Sequence, residues 1–480
     1  MNKTIKNVLA VTGALLMGAG AFVLVAVGID ACRKEEKDVI NAYDIAVQAG
    51  FQGTEQEWLN SLKGSNGKDG ADLDIEEVYE AAQKHGYTGT FLEFLKEYFS
   101  AEVQEDNDTT QISENMMSVV SIYCGFTKTT VTDSGWPLFT PKEETETYAA
   151  AGSGVIVDLN KEAGNAYIIT NYHVIYDNDS DTKTGISDSI YLYTYGAYNA
   201  FSSHTGKDEN GDGMKATYVG GAMDYDIAIL KVEGSEQIKK GNFTEAKMGN
   251  SDLVEVGEKV FAIGNPDGAG ISVTSGLISV DSEYITMSAT DGSSRSVDYR
   301  VMRTDTAINS GNSGGGLFNT KGELIGITNA KSIESGVDNV AYALPITQVK
   351  YLYENILENG GVLKRAMLGV MVATTASESV YENGVLSKKE TFQVYYDEDK
   401  PSTTVIQETA AAYNKLRYFD VFVSMTVNGK TTQLTRRFQL NDLLLTVRKG
   451  DVVTLRIIRD GTEMDVSINY DNDQYFVQYN

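Results

Sequence analysis

Along most of this chain, short apolar runs alternate with polar, glycine-containing breaks, a pattern that predicts many brief strands rather than long helices. Val119-Val120-Ser121-Ile122-Tyr123-Cys124, Ala166-Tyr167-Ile168-Ile169-Thr170, Ile227-Ala228-Ile229-Leu230 and Ile325-Gly326-Ile327-Thr328 are such runs. With 46 glycines against 5 prolines, the patterning suits barrels more than bundles. Three stretches depart from it. Val8 to Ile29 is an apolar run of 22 residues without a charge, long enough to cross a bilayer as a helix. Ile346 to Leu357 has helical spacing and stops near Gly360-Gly361. Between residues 41 and 99, Tyr43, Ala46, Gly50, Phe51, Gly53, Thr54, Trp58 and Leu59 recur 36 positions later as Tyr79, Ala82, Gly86, Tyr87, Gly89, Thr90, Phe94 and Leu95. Each unit predicts a helix, a Gly-aromatic-x-Gly-Thr turn and a second helix with an aromatic-leucine face. Gly64, Gly67 and Gly70 between the units are too few for a collagen repeat and predict a linker.

Asn309-Ser310-Gly311-Asn312-Ser313-Gly314-Gly315 carries the candidate chemistry. Its glycines permit turn conformations that side chains block, and they let the backbone approach a substrate. Two amides aimed alike at such a turn can hold a developing oxyanion. A serine needs a positioned base to become a nucleophile. Of the three histidines, at 85, 173 and 204, only His173 sits beside a strongly apolar strand-like run. Asp226 opens another such run and is the candidate to orient the imidazole, with Asp224 two residues away as its rival.

The order His173, Asp226, Ser313 resembles that of chymotrypsin-like enzymes. The surrounding strings resemble the HtrA/Deg family of serine proteases over roughly residues 112–360. They include Gly152-Ser153-Gly154-Val155-Ile156-Val157, Ile169-Thr170-Asn171-Tyr172-His173-Val174-Ile175 and Asp226-Ile227-Ala228-Ile229-Leu230. Gly249-Asn250-Ser251, Ile263-Gly264-Asn265-Pro266 and Arg303-Thr304-Asp305-Thr306-Ala307-Ile308-Asn309 extend the likeness. The resemblance implies Ser313 as nucleophile, His173 as general base and then acid, and Asp226 as the group that holds the tautomer. It also implies an oxyanion hole at Gly311, Asn312 and Ser313, formed by the amides of the first and last. Many family members have proline where Ser310 and Gly316 stand, which predicts a looser loop here. Asn312 replaces the aspartate that pairs with a new amino terminus in activated zymogens, which argues against activation by N-terminal cleavage.

Ala307 stands where trypsin-like enzymes carry a charged pocket residue, so an apolar pocket is expected from Ala307, Ile308, Ile325 and Ile327. The stretch Ile325–Thr328 is expected to pair with substrate backbone. Residues 363–472 resemble a PDZ domain, with Leu368, Gly369 and Val370 in the loop that receives a peptide carboxylate on its amides. Val380–Leu416 is longer and more polar than usual for that domain, which leaves peptide binding open against a structural or gating role.

Composition narrows the remaining classes. A formal charge of −27 disfavours nucleic acid, whose phosphates it repels. No Cys/His cluster suggests zinc or another metal, and no phosphate-cradling loop suggests a nucleotide, so no cofactor is expected. Two cysteines cannot build a disulfide framework, and Cys124 is expected as a buried core thiol. Asp208, Asn210, Asp212 and Gly213 imitate half of a calcium loop, but Val219 stands where its closing glutamate belongs, so a solvated loop is expected.

The expected architecture is mainly β: a chymotrypsin-like double β-barrel, then a PDZ-like α/β domain, with an N-terminal membrane helix and small helical repeats ahead of both. Its bounds are 1–32 for the anchor or signal, 33–105 for the repeats and linker, 112–360 for the protease and 361–475 for the PDZ-like domain. The anchor competes with a lipid-modified Cys32 and with simple secretion. The apolar run implies a membrane anchor, and the resemblance implies an extracytoplasmic, trimer-based endopeptidase of unfolded or misfolded proteins, with C-terminal peptides as candidate ligands. A non-catalytic scaffold of repeats and PDZ-like domain, or a dedicated processing protease, stands as the alternative.

Overall fold

A computed structural model describes residues 107–132, 142–329, 340–382 and 385–479. The Val8–Ile29 run, Cys32, His85 and the repeats lie outside the described residues. Among the described residues, no helix is long and apolar enough to cross a membrane.

Helix α1 (Asn107–Met116) leads into β1 (Val119–Thr132), β2 (Lys142–Asn160), β3 (Asn165–Thr170), the single turn α2 (Tyr172–Ile175) and β4 (Ser189–Tyr193). The short strands β5 (Phe201–Ser202) and β6 (Lys207–Asp208) pair with each other, followed by β7 (Met214–Ala222), β8 (Ile227–Val232) and α3 (Glu236–Lys240). Six of these strands close an antiparallel barrel in the order β1-β2-β3-β8-β7-β4. A second barrel, β10-β11-β14-β13-β12-β9, is built from β9 (Lys259–Gly264), β10 (Ser272–Ser288), β11 (Ser296–Thr304), β12 (Gly316–Asn319), β13 (Leu324–Asn329) and β14 (Ala341–Pro345).

The apolar runs are continuous because both faces of these strands are covered. Val120, Ile122, Cys124, Ile156, Ile168 and Leu230 fill the first barrel. Their neighbours Val119, Val155, Ile169, Ile227 and Ile229 join a cluster shared with Phe318, Leu324, Ile327 and Leu344 of the second barrel. Helix α4 (Ile346–Glu358) adds Ile346, Val349, Leu352 and Ile356 to the same cluster, at the spacing that marked it as a helix in the sequence. Cys124 is fully buried, and burial pushes its thiol far above the ordinary value. We expect iodoacetamide to leave the Cys124 peptide unmodified in native protein and to label it in urea, as read by mass spectrometry.

Beyond α4, β15 (Leu363–Ala366) pairs with the last strand, β22 (Phe476–Tyr479). Between them lie β16 (Val372–Glu382), β17 (Val385–Val394), β18 (Val421–Val427), β19 (Lys430–Gln433), α5 (Arg437–Leu443), β20 (Val452–Arg459) and β21 (Thr462–Asn469). The sheet order is β16-β17-β18-β20-β21, with β19 on β18. Phe392, Val394, Phe422, Leu455, Ile457 and Tyr470 form its own core.

Helix α5 meets the second barrel through a buried charge cluster. Arg300 of β11 bonds Asp442 with both side chains almost fully buried, and its second arm reaches Asp252 at 2.9 Å. Gln348 of α4 donates to Asp442 at 2.8 Å, and the Arg300 guanidinium lies 3.5 Å from the centre of the Phe438 ring. Burial pushes the Asp442 carboxyl above its ordinary value against the pull of Arg300. Removing one partner strands the other charge in a dry site, at a cost of about 3–5 kcal/mol. We therefore expect Asp442→Ala to lower the urea midpoint sharply, while Arg300→Met with Asp442→Leu recovers most of the loss.

Candidate active site

Three loops converge where the two barrels meet. Strand β3 ends at Thr170 and turns through Asn171 into α2, which carries His173. Strand β7 ends in a short 3-10 turn whose last step is Asp226, in the left-handed region at φ +52 and fully buried. Aspartate is one of the few residues that adopts this conformation readily. The turn lets both carboxylate oxygens face α2: Asp226 Oδ1 accepts the His173 backbone N–H at 3.0 Å, and Oδ2 lies 2.7 Å from His173 Nδ1. An ionised carboxylate only accepts, so Nδ1 carries the proton and Nε2 is left as the acceptor. Nε2 is 2.9 Å from Ser313 Oγ. The structure thus brings Asp226, His173 and Ser313 into one chain of hydrogen bonds across sequence separations of 53 and 140 residues. Asp224 lies elsewhere, bonded to the guanidinium of Arg295 at 2.6 and 2.8 Å.

Before Ser313 the backbone makes a tight turn. Asn312 N–H donates to Asn309 O at 3.0 Å, and Gly311 has φ +92, the positive value that a type II turn demands at its third position. A side chain at Gly311 would also meet Asn265 O at 2.2 Å, so glycine is required twice over. The Gly311 amide donates to no acceptor among the described residues, whereas the Asn312 amide is occupied by the turn. Of the three residues expected at the oxyanion hole, Asn312 therefore contributes no backbone donor.

The expectation of a looser loop is corrected. Ser310 O accepts Asp267 N–H at 2.8 Å, and Gly316 lies inside β12, paired with Ile263 and Ile327. Hydrogen bonds supply the hold that proline would give. The expected pocket also needs correction. Ile325 and Ile327 are 1% and 0% exposed within barrel clusters, and both edges of β13 are taken, by β12 and by β14. Neither a side-chain wall nor a free edge for substrate remains there. Ile308 is buried in the second barrel as well, which leaves Ala307 as the exposed member of the four. What β13 does instead is brace the turn that carries Ser313. Thr328 exchanges backbone bonds with Gly314 and Gly315 at 2.9 Å each, and its hydroxyl donates to Asn312 O at 2.6 Å.

Sequence reasoning missed Asn329, whose amide donates to Asp226 Oδ2 at 2.9 Å, and Asn171, whose amide donates to Asp226 O at 3.0 Å. No spacing rule flags them, because each acts on a residue distant in the chain. In the acidic loop, Asp208 accepts from Tyr193 Oη and Gly213 N–H, and Asp212 accepts from Tyr198 N–H. His204 is exposed in the same segment.

The C-terminal loop has its own donors. Gly369 has φ +74, and the amides of Leu368, Gly369 and Val370 donate to no acceptor among the described residues. The long segment before β18 packs on this loop: Ala412 N–H donates to Leu368 O at 3.0 Å, and Ala410 lies against Gly369.

Residues 152–327 match the model of the trypsin-like peptidase domain. The chain is 33% identical to the serine protease Do-like HtrB of Bacillus subtilis over 64% of its own length and 59% of that protein. It is 31% identical to the periplasmic serine endoprotease DegP of Escherichia coli K12 over 67% of its own length and 57% of that protein. It thus spans under two thirds of the length of the curated relatives it matches. A solved HtrA-type protease, AlgW with tripeptide, aligns with 78% of this chain and 97% of its own at 22% identity and a TM-score of 0.44.

Proposed function

We propose, for a chain that belongs to the HtrA/Deg family of trypsin-like serine proteases, that it is an extracytoplasmic endopeptidase cutting unfolded or misfolded proteins through Ser313, His173 and Asp226. The single observation that carries this reading is the relay from Asp226 through His173 to Ser313, at 2.7 and 2.9 Å. Ser313 Oγ attacks the scissile carbonyl while His173 Nε2 takes its proton. The new bond forms as the carbonyl π pair moves onto oxygen, and the amides of Gly311 and Ser313 receive that charge. His173 then delivers the proton to the leaving amine, whose bond to carbon breaks to give an acyl-enzyme. Water, activated by the same imidazole, releases the acid and restores the serine. Asp226 stays ionised throughout and stabilises the imidazolium.

Residues 361–475 are proposed as a PDZ-like domain that takes C-terminal carboxylates on the amides of Leu368, Gly369 and Val370, since these carry no internal acceptor among the described residues. Strand β16, at the end of its sheet, offers an edge to an extended peptide. The Val8–Ile29 run is proposed to hold the chain at the membrane, with lipid on Cys32 as the other route, and the family resemblance favours a trimer-based assembly. The full chain in mild detergent, incubated with unfolded casein beside Ser313→Ala, tests the reading. Cleavage by the parent alone supports it. No cleavage by either, with C-terminal peptides present, favours the scaffold.

A further inference from the structure

Ser153 lies in the first barrel, on β2, yet every polar atom it has is committed to the catalytic region. It is fully buried. Its N–H donates to Ser313 O at 2.8 Å, and its own carbonyl accepts the Thr170 hydroxyl at 2.7 Å. Its hydroxyl donates to Gly311 O at 2.7 Å and accepts Asn265 N–H at 2.8 Å. That last pair matters for the turn before Ser313, because Gly311 O and Asn265 N–H belong to the two segments that define how the turn is flipped.

A trans peptide is planar, and its C=O and N–H point opposite ways. Fixing the carbonyls of Ser310 and Gly311 therefore fixes the amides of Gly311 and Asn312. Asp267 N–H holds the Ser310 carbonyl at 2.8 Å, which turns the Gly311 amide to the opposite side. Asp267 belongs to the tight turn that starts at Asn265, and Asn265 N–H rests on Ser153 Oγ. The Gly311 carbonyl is held by the same oxygen. One hydroxyl thus grips the oxyanion turn directly and also the segment that grips its other carbonyl, from across the barrel interface.

We propose that Ser153 is a positioning residue, whose hydroxyl keeps the Gly311 amide aimed at the developing oxyanion. The inference rests on the protease reading above. Ser153→Ala keeps the main-chain bonds to Ser313 and Thr170 and removes only the hydroxyl's two. The expected result is a folded variant with kcat lower by about 10- to 100-fold and KM within about twofold, since an oxyanion donor acts on the transition state more than on the ground state. Affinity for a peptide boronate, which presents a tetrahedral oxyanion, falls in parallel with kcat. Ser187→Ala is the matched control: it removes a buried first-barrel hydroxyl bonded to Gly125 O at 2.7 Å, with kcat expected to stay at the parent value.

Parent-like kcat and boronate affinity in folded Ser153→Ala overturn the proposal. So does a kcat loss that Ser187→Ala reproduces at equal loss of thermal stability. Hydrogen exchange over residues 262–270 and 309–315 reads the same grip without catalysis, with faster exchange expected only in Ser153→Ala. A parent that cleaves nothing overturns the protease reading, while exchange unchanged by Ser153→Ala overturns the hydroxyl's role on its own.

Discussion

Ser313→Ala is expected to leave the fold intact and lower kcat on an unfolded substrate by about a million-fold, roughly 8 kcal/mol of transition-state stabilisation. A loss that large follows from the proposed triad working as a unit: without Oγ no acyl-enzyme would form, and His173 would have no proton to move. Removing one hydroxyl perturbs little else. Ser313 is 5% exposed, and its carbonyl remains bonded to Ser153 N–H at 2.8 Å. The thermal midpoint should therefore stay close to the parent's. Residual turnover of the order left by binding and the oxyanion turn alone is compatible with this account. Equal cleavage by parent and variant, measured from fragment release in a preparation free of other proteases, would remove Ser313 from the mechanism.

Asp226→Asn is expected to lower kcat by about ten-thousand-fold without unfolding the protein. Asparagine tolerates the left-handed backbone of position 226 as aspartate does, so no strain is added. The electrostatics of the site do not tolerate it. Oδ1 accepts the His173 N–H, and Oδ2 accepts from both His173 Nδ1 and Asn329. An amide has one oxygen, and its nitrogen must face a donor in either orientation. Placed toward the ring, that nitrogen donates to Nδ1 and moves the imidazole proton to Nε2, where it can no longer accept from Ser313. Asp224→Asn is the contrast, because Asp224 bonds Arg295 and is expected to leave kcat near the parent value. A reversed ranking of the two variants would hand the orienting role to Asp224.

Both predictions begin from residues legible in the chain. Ser313 stands out by the glycines around it, His173 by the strand-like run before it, and Asp226 by the run that follows. These signals are local: glycine permits turns, and β-branched runs form strands whatever lies far away. The barrels were legible for the same reason, through short apolar runs and scarce proline, and α4 through its own period. Ile325 and Ile327 were misjudged because the same pattern serves an edge strand and a strand paired on both sides. Which one occurs depends on β12 and β14, and only β12 is nearby in the sequence.

By itself, then, the sequence picked out Ser313, His173 and Asp226 as candidates and predicted the strand-rich build that holds them, because each signal is written in neighbouring residues. The tertiary structure alone decided how those residues are held: both carboxylate oxygens of Asp226 on His173, the amide of Asn329 on that carboxylate, and the hydroxyl of Ser153 beneath the turn. It also decided that α5 meets the second barrel through the buried pair of Arg300 and Asp442. Hydrogen bonds and ion pairs act over about 3 Å of space with no regard for sequence separation. A single donor far along the chain therefore leaves no pattern to read until folding places it.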